Sequence, residues 1–120
     1  MAEETATESE IAPQRAAGLI EAGEAELIDV RSPCEWEAGR IEGARHIEVN
    51  ELTGAAESIS RDGTVIFYCR SGSRSALAAA AFRQAGWDAY SLAGGLRAWV
   101  AHGLPLDPAD GEVADPRPGT

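Results

Sequence analysis

Short apolar runs alternate along this chain with longer segments in which apolar and polar residues mix. Residues 26–30 and 64–68 are short stretches rich in aliphatic, β-branched or aromatic side chains, which predicts two strands. Residues 75–85 are mostly alanine and other strong helix formers, which predicts a helix. The other predicted elements are strands over residues 46–49 and 88–92 and helices over residues 13–22, 52–58 and 95–102.

The alternation of strands with helices predicts an α/β fold built on a parallel sheet. In such sheets, ligands bind beyond the carboxyl ends of the strands. Cys69 directly follows one predicted strand, and Asp29 and Arg31 lie at the end of another. We therefore expect these three residues at the same edge of the sheet.

The loop between the strand at 64–68 and the next helix carries the strongest chemical signal. It reads Cys69-Arg70-Ser71-Gly72-Ser73-Arg74-Ser75. A strand-to-helix turn aims backbone N–H groups and the positive end of the helix dipole at the cysteine sulfur. Because these groups stabilise a thiolate, we predict that Cys69 is a nucleophile near neutral pH. Gly72 allows a close backbone approach, and Ser75 is expected to cap the helix.

A buried structural cysteine is the alternative interpretation of Cys69, since free cysteine is among the most buried residue types. The surroundings favour a catalytic or anion-binding role instead. Arg70 and Arg74 flank the thiol, and an electropositive loop rich in N–H donors suits an anion.

Three further stretches accompany the cysteine loop. They are Leu-Ile-Asp-Val-Arg at 27–31, Glu-Trp-Glu-Ala-Gly-Arg-Ile-Glu-Gly-Ala at 35–44, and Leu-Ala-Gly-Gly-Leu-Arg-Ala-Trp at 92–99 with Gly-Leu-Pro at 103–105. In this order, the four stretches resemble the signatures of the single-domain rhodaneses, sulfurtransferases that carry a persulfide on a loop cysteine. The resemblance covers about residues 11–106. Arg40 stands where that family often has histidine, so we expect the local packing there to differ.

The resemblance implies a rhodanese-like fold, a central parallel sheet of about five strands flanked by helices on both faces. It also implies transfer of a sulfane sulfur from thiosulfate or a similar donor to cyanide, a small thiol or a protein thiol, with the persulfide on Cys69. The residues that would surround the persulfide and the donor are Arg70, Ser71, Gly72, Ser73, Arg74 and Ser75. Arg70 and Arg74 would bind the anionic oxygens of the donor, and Asp29 and Arg31 would form an ion pair that supports the loop.

Two other functions remain open. Rhodaneses also resemble cysteine-dependent dual-specificity phosphatases and some arsenate reductases, which have five residues between the cysteine and the arginine of the loop. Only four residues separate Cys69 from Arg74, which leaves less room for a tetrahedral phosphate or arsenate. The other alternative is a non-enzymatic sulfur-carrier or interaction module whose only acceptor is another protein.

The charge and composition suggest one domain between two tails. Residues 1–10 and 107–120 are polar, acidic and poor in apolar residues, which predicts disordered tails around a domain at 11–106. The formal net charge is −10, but the predicted domain carries only −3. Because the chain has no basic stripe, nucleic-acid binding is not expected. The expected partner is a small anionic sulfur donor, and a protein that accepts sulfur remains open.

The two cysteines and two histidines lie far apart in the sequence, so neither a metal nor another cofactor is expected. Cys34 follows the strand at 26–30, where it is either a resolving thiol for Cys69 or a loop residue without a role. No apolar run is long enough for a membrane span, and no signal-peptide pattern opens the chain. We expect a cytoplasmic, reducing setting and a monomer or weak dimer.

Overall fold

The computed structural model describes residues 9–115, which form a parallel sheet with helices around it. The strands are β1 (Glu10–Ile11), β2 (Ala25–Asp29), β3 (Arg45–His46), β4 (Thr64–Tyr68) and β5 (Asp88–Leu92). The helices are α1 (Pro13–Glu21), α2 (Pro33–Ala38), α3 (Leu52–Ala55), α4 (Ser73–Gln84) and α5 (Gly95–Ala101), and short 3-10 turns flank α3. All strand pairs are parallel, in the order β1-β5-β4-β2-β3, so β4 lies at the centre.

Alternate side chains of β4 fill two apolar clusters, one on each face of the sheet, as the period of a strand requires. Val65 and Phe67 pack with residues of α3 and α4 on one face. Ile66 and Tyr68 pack with residues of α1 and α5 on the other. The predicted α/β architecture, with about five parallel strands and helices on both faces, is therefore confirmed.

Two short elements, α2 and β1, are absent from the sequence prediction, and one helix begins earlier than predicted. Helix α2 begins with a capping box, in which Ser32 and Glu35 bond each other's backbone N–H groups. Helix α4 begins at Ser73 rather than Ser75, with Gly72 as its N-cap in the left-handed region at φ 109°. Ser75 is therefore not a cap, and its side chain is buried within the first turn.

Residues 107–115, which we call the C-terminal segment, lie against the domain where the sequence predicts a disordered tail. Arg40 and Asp107 exchange backbone hydrogen bonds of 3.1 and 2.7 Å. The two segments also approach closely at Gly39, where a Cβ atom would lie only 2.7 Å from the backbone of Glu112. Backbone hydrogen bonds and the packing of Val113 against an apolar cluster hold this segment on the domain. The other tail residues, 1–8 and 116–120, lie outside the described part of the chain.

The start of α5 is held on the loop that follows β4. Leu96 N–H donates to the carbonyl of Cys69 at 2.8 Å, and Arg97 N–H donates to the carbonyl of Arg70 at 3.1 Å. Gly95 has a φ of 65°, and a Cβ atom on it would lie 2.5 Å from the Arg70 carbonyl oxygen. A glycine at position 95 is therefore required for this close approach. Within residues 9–115, no helix has the length and apolarity needed to cross a membrane.

Candidate active site

Cys69 lies at the carboxyl end of the central strand, at the base of a ring of hydrogen-bond donors. Its sulfur accepts the backbone N–H of Gly72 at 3.1 Å and that of Ser75 at 3.4 Å. The hydroxyl of Ser75 is also 3.4 Å from the sulfur. These contacts arise because the chain turns at Gly72 directly into α4, whose first N–H groups have no partner within the helix.

The donors around Cys69 favour its thiolate. Burial acts to raise the pKa of the Cys69 thiol, since Cys69 has 0% of its surface exposed. Hydrogen bonds from the Ser75 hydroxyl and from the backbone of Ser75, Gly72 and Ser71 outweigh burial and hold the pKa below its ordinary value. Cys69 is thus buried, yet the geometry is that of an activated thiol rather than an inert core cysteine.

The residues of the cysteine loop differ in their exposure to solvent. Ser71 and Ser73 are exposed, whereas Gly72 and Ser75 are buried. Arg70 and Arg74 are half-buried, so the six predicted donor-binding residues range from exposed to buried.

Arg74 is held by a buried carboxylate. Its Nη1 and Nη2 donate to Oε1 and Oε2 of Glu35 at 2.9 and 3.0 Å. Glu35 has 0% of its surface exposed and also accepts hydrogen bonds from the backbone and hydroxyl of Ser32. The pair uses two of the five N–H groups of the guanidinium, so donor binding by Arg74 stays a prediction.

Arg70 has a different kind of partner. Its Nη2 lies 2.7 Å from Oδ1 of Asp115, an ion pair in which the aspartate side chain is 73% exposed. The Nε–H of Arg70 is buried and has no hydrogen-bond partner among the described residues. Arg70 therefore keeps an unsatisfied donor directly beside Cys69 in the chain.

Asp29 and Arg31 form a fully buried ion pair at the end of β2. Nε and Nη2 of Arg31 donate to the Asp29 carboxylate, with Nη2 2.6 Å from Oδ2, and Nη2 also donates to the carbonyl of Gly39 at 2.7 Å. His46 Nε2 lies 2.7 Å from the carbonyl of Arg31. The pair thus orders the segment around α2, which carries Glu35 and so the partner of Arg74.

Three residues of the site have no role in the sequence prediction. Glu35 is part of a Ser-x-x-Glu pattern that signals a capping box, although its bond to Arg74 has no sequence signal. Ser91, whose hydroxyl is 2.8 Å from that of Ser75, is a polar residue at an inward position of a strand. Asp115 belongs to the C-terminal segment. The sequence around Glu35 and Ser91 therefore carried a signal for these residues, whereas the sequence around Asp115 carried none.

Cys34 and Arg40 lie on the side of the site formed by α2. Sγ of Cys34 is 3.4 Å from the hydroxyl of Ser32, and Cys34 is half-buried. Arg40 places its guanidinium over the ring of Trp36, 4.8 Å from its centre, and donates to the carbonyl of Trp36 at 2.8 Å. Arg40 thus closes the turn after α2. Among residues 9–115, no group of three histidine, cysteine or acidic side chains is placed to hold a metal ion.

Comparison with known proteins agrees with this geometry. Residues 12–102 match the family model of the rhodanese-like domain. Thiosulfate sulfurtransferase GlpE of Pseudomonas aeruginosa is 36% identical over 104 residues, which cover 86% of this chain and 93% of that protein. A sulfurtransferase of Allochromatium vinosum is 37% identical over 86 residues, which cover 71% of this chain and 80% of that protein.

A solved structure shows the same fold. The crystal structure of a rhodanese-related protein from Thermoplasma volcanium has a TM-score of 0.75 and 28% sequence identity, and the match covers 81% of this chain and 95% of that one. The cysteine loop at the end of a central parallel strand, the family match over most of the chain and the sulfurtransferase relatives agree. The chain belongs to the rhodanese family.

Proposed function

We propose that this protein is a thiosulfate sulfurtransferase that works through a persulfide on Cys69. The observation that carries the proposal is the set of donors on one sulfur: two backbone N–H groups and a hydroxyl, all within 3.4 Å. Such donors stabilise a negative sulfur, and the sulfurtransferase relatives support this class of reaction.

The first step loads the enzyme. The Cys69 thiolate attacks the outer, sulfane sulfur of thiosulfate, and a new S–S bond forms. The S–S bond of thiosulfate breaks, and sulfite leaves with the bonding electron pair. The N–H groups of Gly72 and Ser75 hold the sulfur of Cys69 throughout, so no protein group has to reorganise during the step.

The second step unloads the enzyme. A thiophilic acceptor such as cyanide or a thiolate attacks the outer sulfur of the persulfide. The Cys69 thiolate departs with the electron pair and returns to the same donors. The loop therefore stabilises the leaving group of this step as well as the nucleophile of the first.

Arg70 is the residue that we assign to the sulfonate oxygens of thiosulfate. Its unsatisfied Nε–H is a donor that an anionic oxygen would fill, and guanidinium groups suit such oxygens. Arg74 contributes positive charge near the loop, and its bonds to Glu35 join α4 to α2.

The test is to incubate the reduced protein with thiosulfate and measure its intact mass. We expect the wild type to gain one sulfur atom, together with release of one equivalent of sulfite. Cys34→Ser, which removes the only other cysteine, should gain the same mass, whereas Cys69→Ser should gain none.

A gain of sulfur by Cys69→Ser, or no gain by the wild type, would contradict the proposal. A wild type that is loaded only by a persulfidated partner protein would indicate a carrier module instead. Hydrolysis of a phosphate ester by the wild type, lost in Cys69→Ser, would indicate the phosphatase alternative.

A further inference from the structure

Ser91 is a polar residue on an apolar face of the sheet. It has no exposed surface and lies in β5, two positions after Ala89, so that both side chains point to the same face. Ala89 and Phe67, the residue paired with Ser91 across the sheet, both belong to the apolar cluster on that face. A buried hydroxyl in such surroundings is unfavourable unless it is hydrogen-bonded.

The partner of Ser91 leads directly to the reactive sulfur. The oxygen of Ser91 is 2.8 Å from the oxygen of Ser75, which in turn is 3.4 Å from the sulfur of Cys69. Ser75 has a single hydroxyl proton and a second acceptor for it, the carbonyl of Gly72 at 3.3 Å. That carbonyl already accepts the backbone N–H of Ala76 at 3.0 Å.

We propose that Ser91 is a positioning residue for the nucleophile: it donates to the oxygen of Ser75 and so directs the Ser75 hydroxyl proton to the sulfur of Cys69. The two hydroxyls then form a relay in which each bond polarises the next. The relay stabilises the negative sulfur of the thiolate and, in the second step, that of the departing thiolate. The inference rests on the proposed function, because it concerns the same nucleophile.

None of the ion pairs that the described residues form around Cys69 includes a residue of β5, the strand that carries Ser91. They are Arg74 of α4 with Glu35 of α2, Arg70 of the loop with Asp115 of the C-terminal segment, and the Asp29–Arg31 pair at the end of β2. The hydrogen bonds of the Ser75 hydroxyl and of the loop backbone are what hold the pKa of Cys69 below its ordinary value against burial. In this proposal, Ser91 acts on the hydrogen bond from the Ser75 hydroxyl to the sulfur of Cys69.

The experiment measures alkylation of Cys69 by iodoacetamide across pH, in a Cys34→Ala background so that one cysteine reacts. Below the midpoint of the profile, we expect Ser91→Ala to react roughly two- to tenfold more slowly, as the loss of one hydrogen bond to the relay implies. At high pH, where the thiol is fully ionised, both proteins should react at the same rate. Ser91→Thr keeps the hydroxyl and should restore most of the low-pH rate.

Two controls separate this inference from a structural role. Ser75→Ala removes the hydroxyl that contacts the sulfur and should shift the profile at least as far. Ser60→Ala, a change in an exposed loop, should leave it unchanged. A Ser91→Ala profile that superimposes on that of the Cys34→Ala parent overturns the proposal, even if urea unfolds the variant more easily. Alkylation needs no sulfur donor, so a failure of thiosulfate loading would leave this result standing.

Discussion

The two arginines of the cysteine loop have the same charge and lie four residues apart, but the structure gives them different surroundings. Arg74 makes two hydrogen bonds to Glu35, a fully buried carboxylate. Arg70 pairs with Asp115, whose side chain is 73% exposed. Breaking a buried ion pair costs about 3–5 kcal/mol, whereas an exposed pair contributes about 0–1 kcal/mol. Both arginine side chains are 28% exposed, so the burial of the partner is what predicts that Arg74 contributes more to the stability of the fold than Arg70.

The largest expected effect is on stability. Arg74→Ala leaves the Glu35 carboxylate buried without its cation, so we expect the free energy of unfolding in urea to fall by about 3 kcal/mol. Arg70→Ala is the matched variant and should lower it by less than about 1 kcal/mol. Equal stability of the two variants, with a raised KM for thiosulfate in Arg74→Ala, would return Arg74 to the role of donor binding.

A second effect concerns the pH dependence of stability. Burial acts to raise the pKa of Glu35, but hydrogen bonds from Arg74 and from Ser32 outweigh it and hold the pKa below its ordinary value. A carboxylate with a lowered folded pKa stabilises the fold above its unfolded pKa, and this stability is lost as the pH falls through the folded pKa.

Glu35→Gln removes that dependence. Between about pH 5 and pH 3, we expect the wild type to lose more unfolding free energy than Glu35→Gln, since the unfolded pKa of glutamate is about 4.3. Urea titrations at several pH values measure the difference. Glu57→Gln, an exposed change of the same kind, should follow the wild type. Parallel curves for the wild type and Glu35→Gln would show that the Arg74 pair does not hold this carboxylate ionised.

The smallest effect tests the exposed pair. Asp115 places a carboxylate on the arginine that we assign to thiosulfate, so Asp115→Asn should lower the KM for thiosulfate by a few-fold, in keeping with the roughly 0–1 kcal/mol of an exposed pair. Asp110→Asn makes the same charge change in the same segment and should have little effect. A KM lowered equally by both changes would assign the effect to net charge rather than to the contact with Arg70.

Local pattern was enough to predict most of the fold. The two strands at 64–68 and 88–92 agree with β4 and β5 residue for residue, because short apolar runs between polar turns have few alternatives. The position of Cys69 at the end of a strand, and the ion pair of Asp29 with Arg31, followed from the same pattern and from the family resemblance. Strand β1 and helix α2 were missed at this level, although Ser32, Pro33 and Glu35 carried the start signal of α2.

The rest of the site depends on contacts between distant parts of the chain. The bond of Arg74 to Glu35 joins residues 39 positions apart, and no property of either side chain selects the other in advance. The C-terminal segment docks through backbone groups of Arg40 and Asp107, which every residue but proline offers equally. Ser91 did have a signal, since a serine among inward-facing apolar residues needs a partner, but the partner was known only from the structure.

The start of α5 fixes the direction in which the backbone carbonyl groups of Cys69 and Arg70 point. Because Leu96 and Arg97 hold the carbonyl oxygens of Cys69 and Arg70, those oxygens are turned toward the helix and away from the sulfur. A side chain at Gly95 would push against the Arg70 carbonyl. A rotation that turned this oxygen toward the sulfur would place the negative end of the carbonyl dipole near the Cys69 thiolate and would destabilise it. A glycine far along the chain from Cys69 thus keeps N–H groups, rather than a carbonyl oxygen, facing the sulfur, and this arrangement stabilises a thiolate.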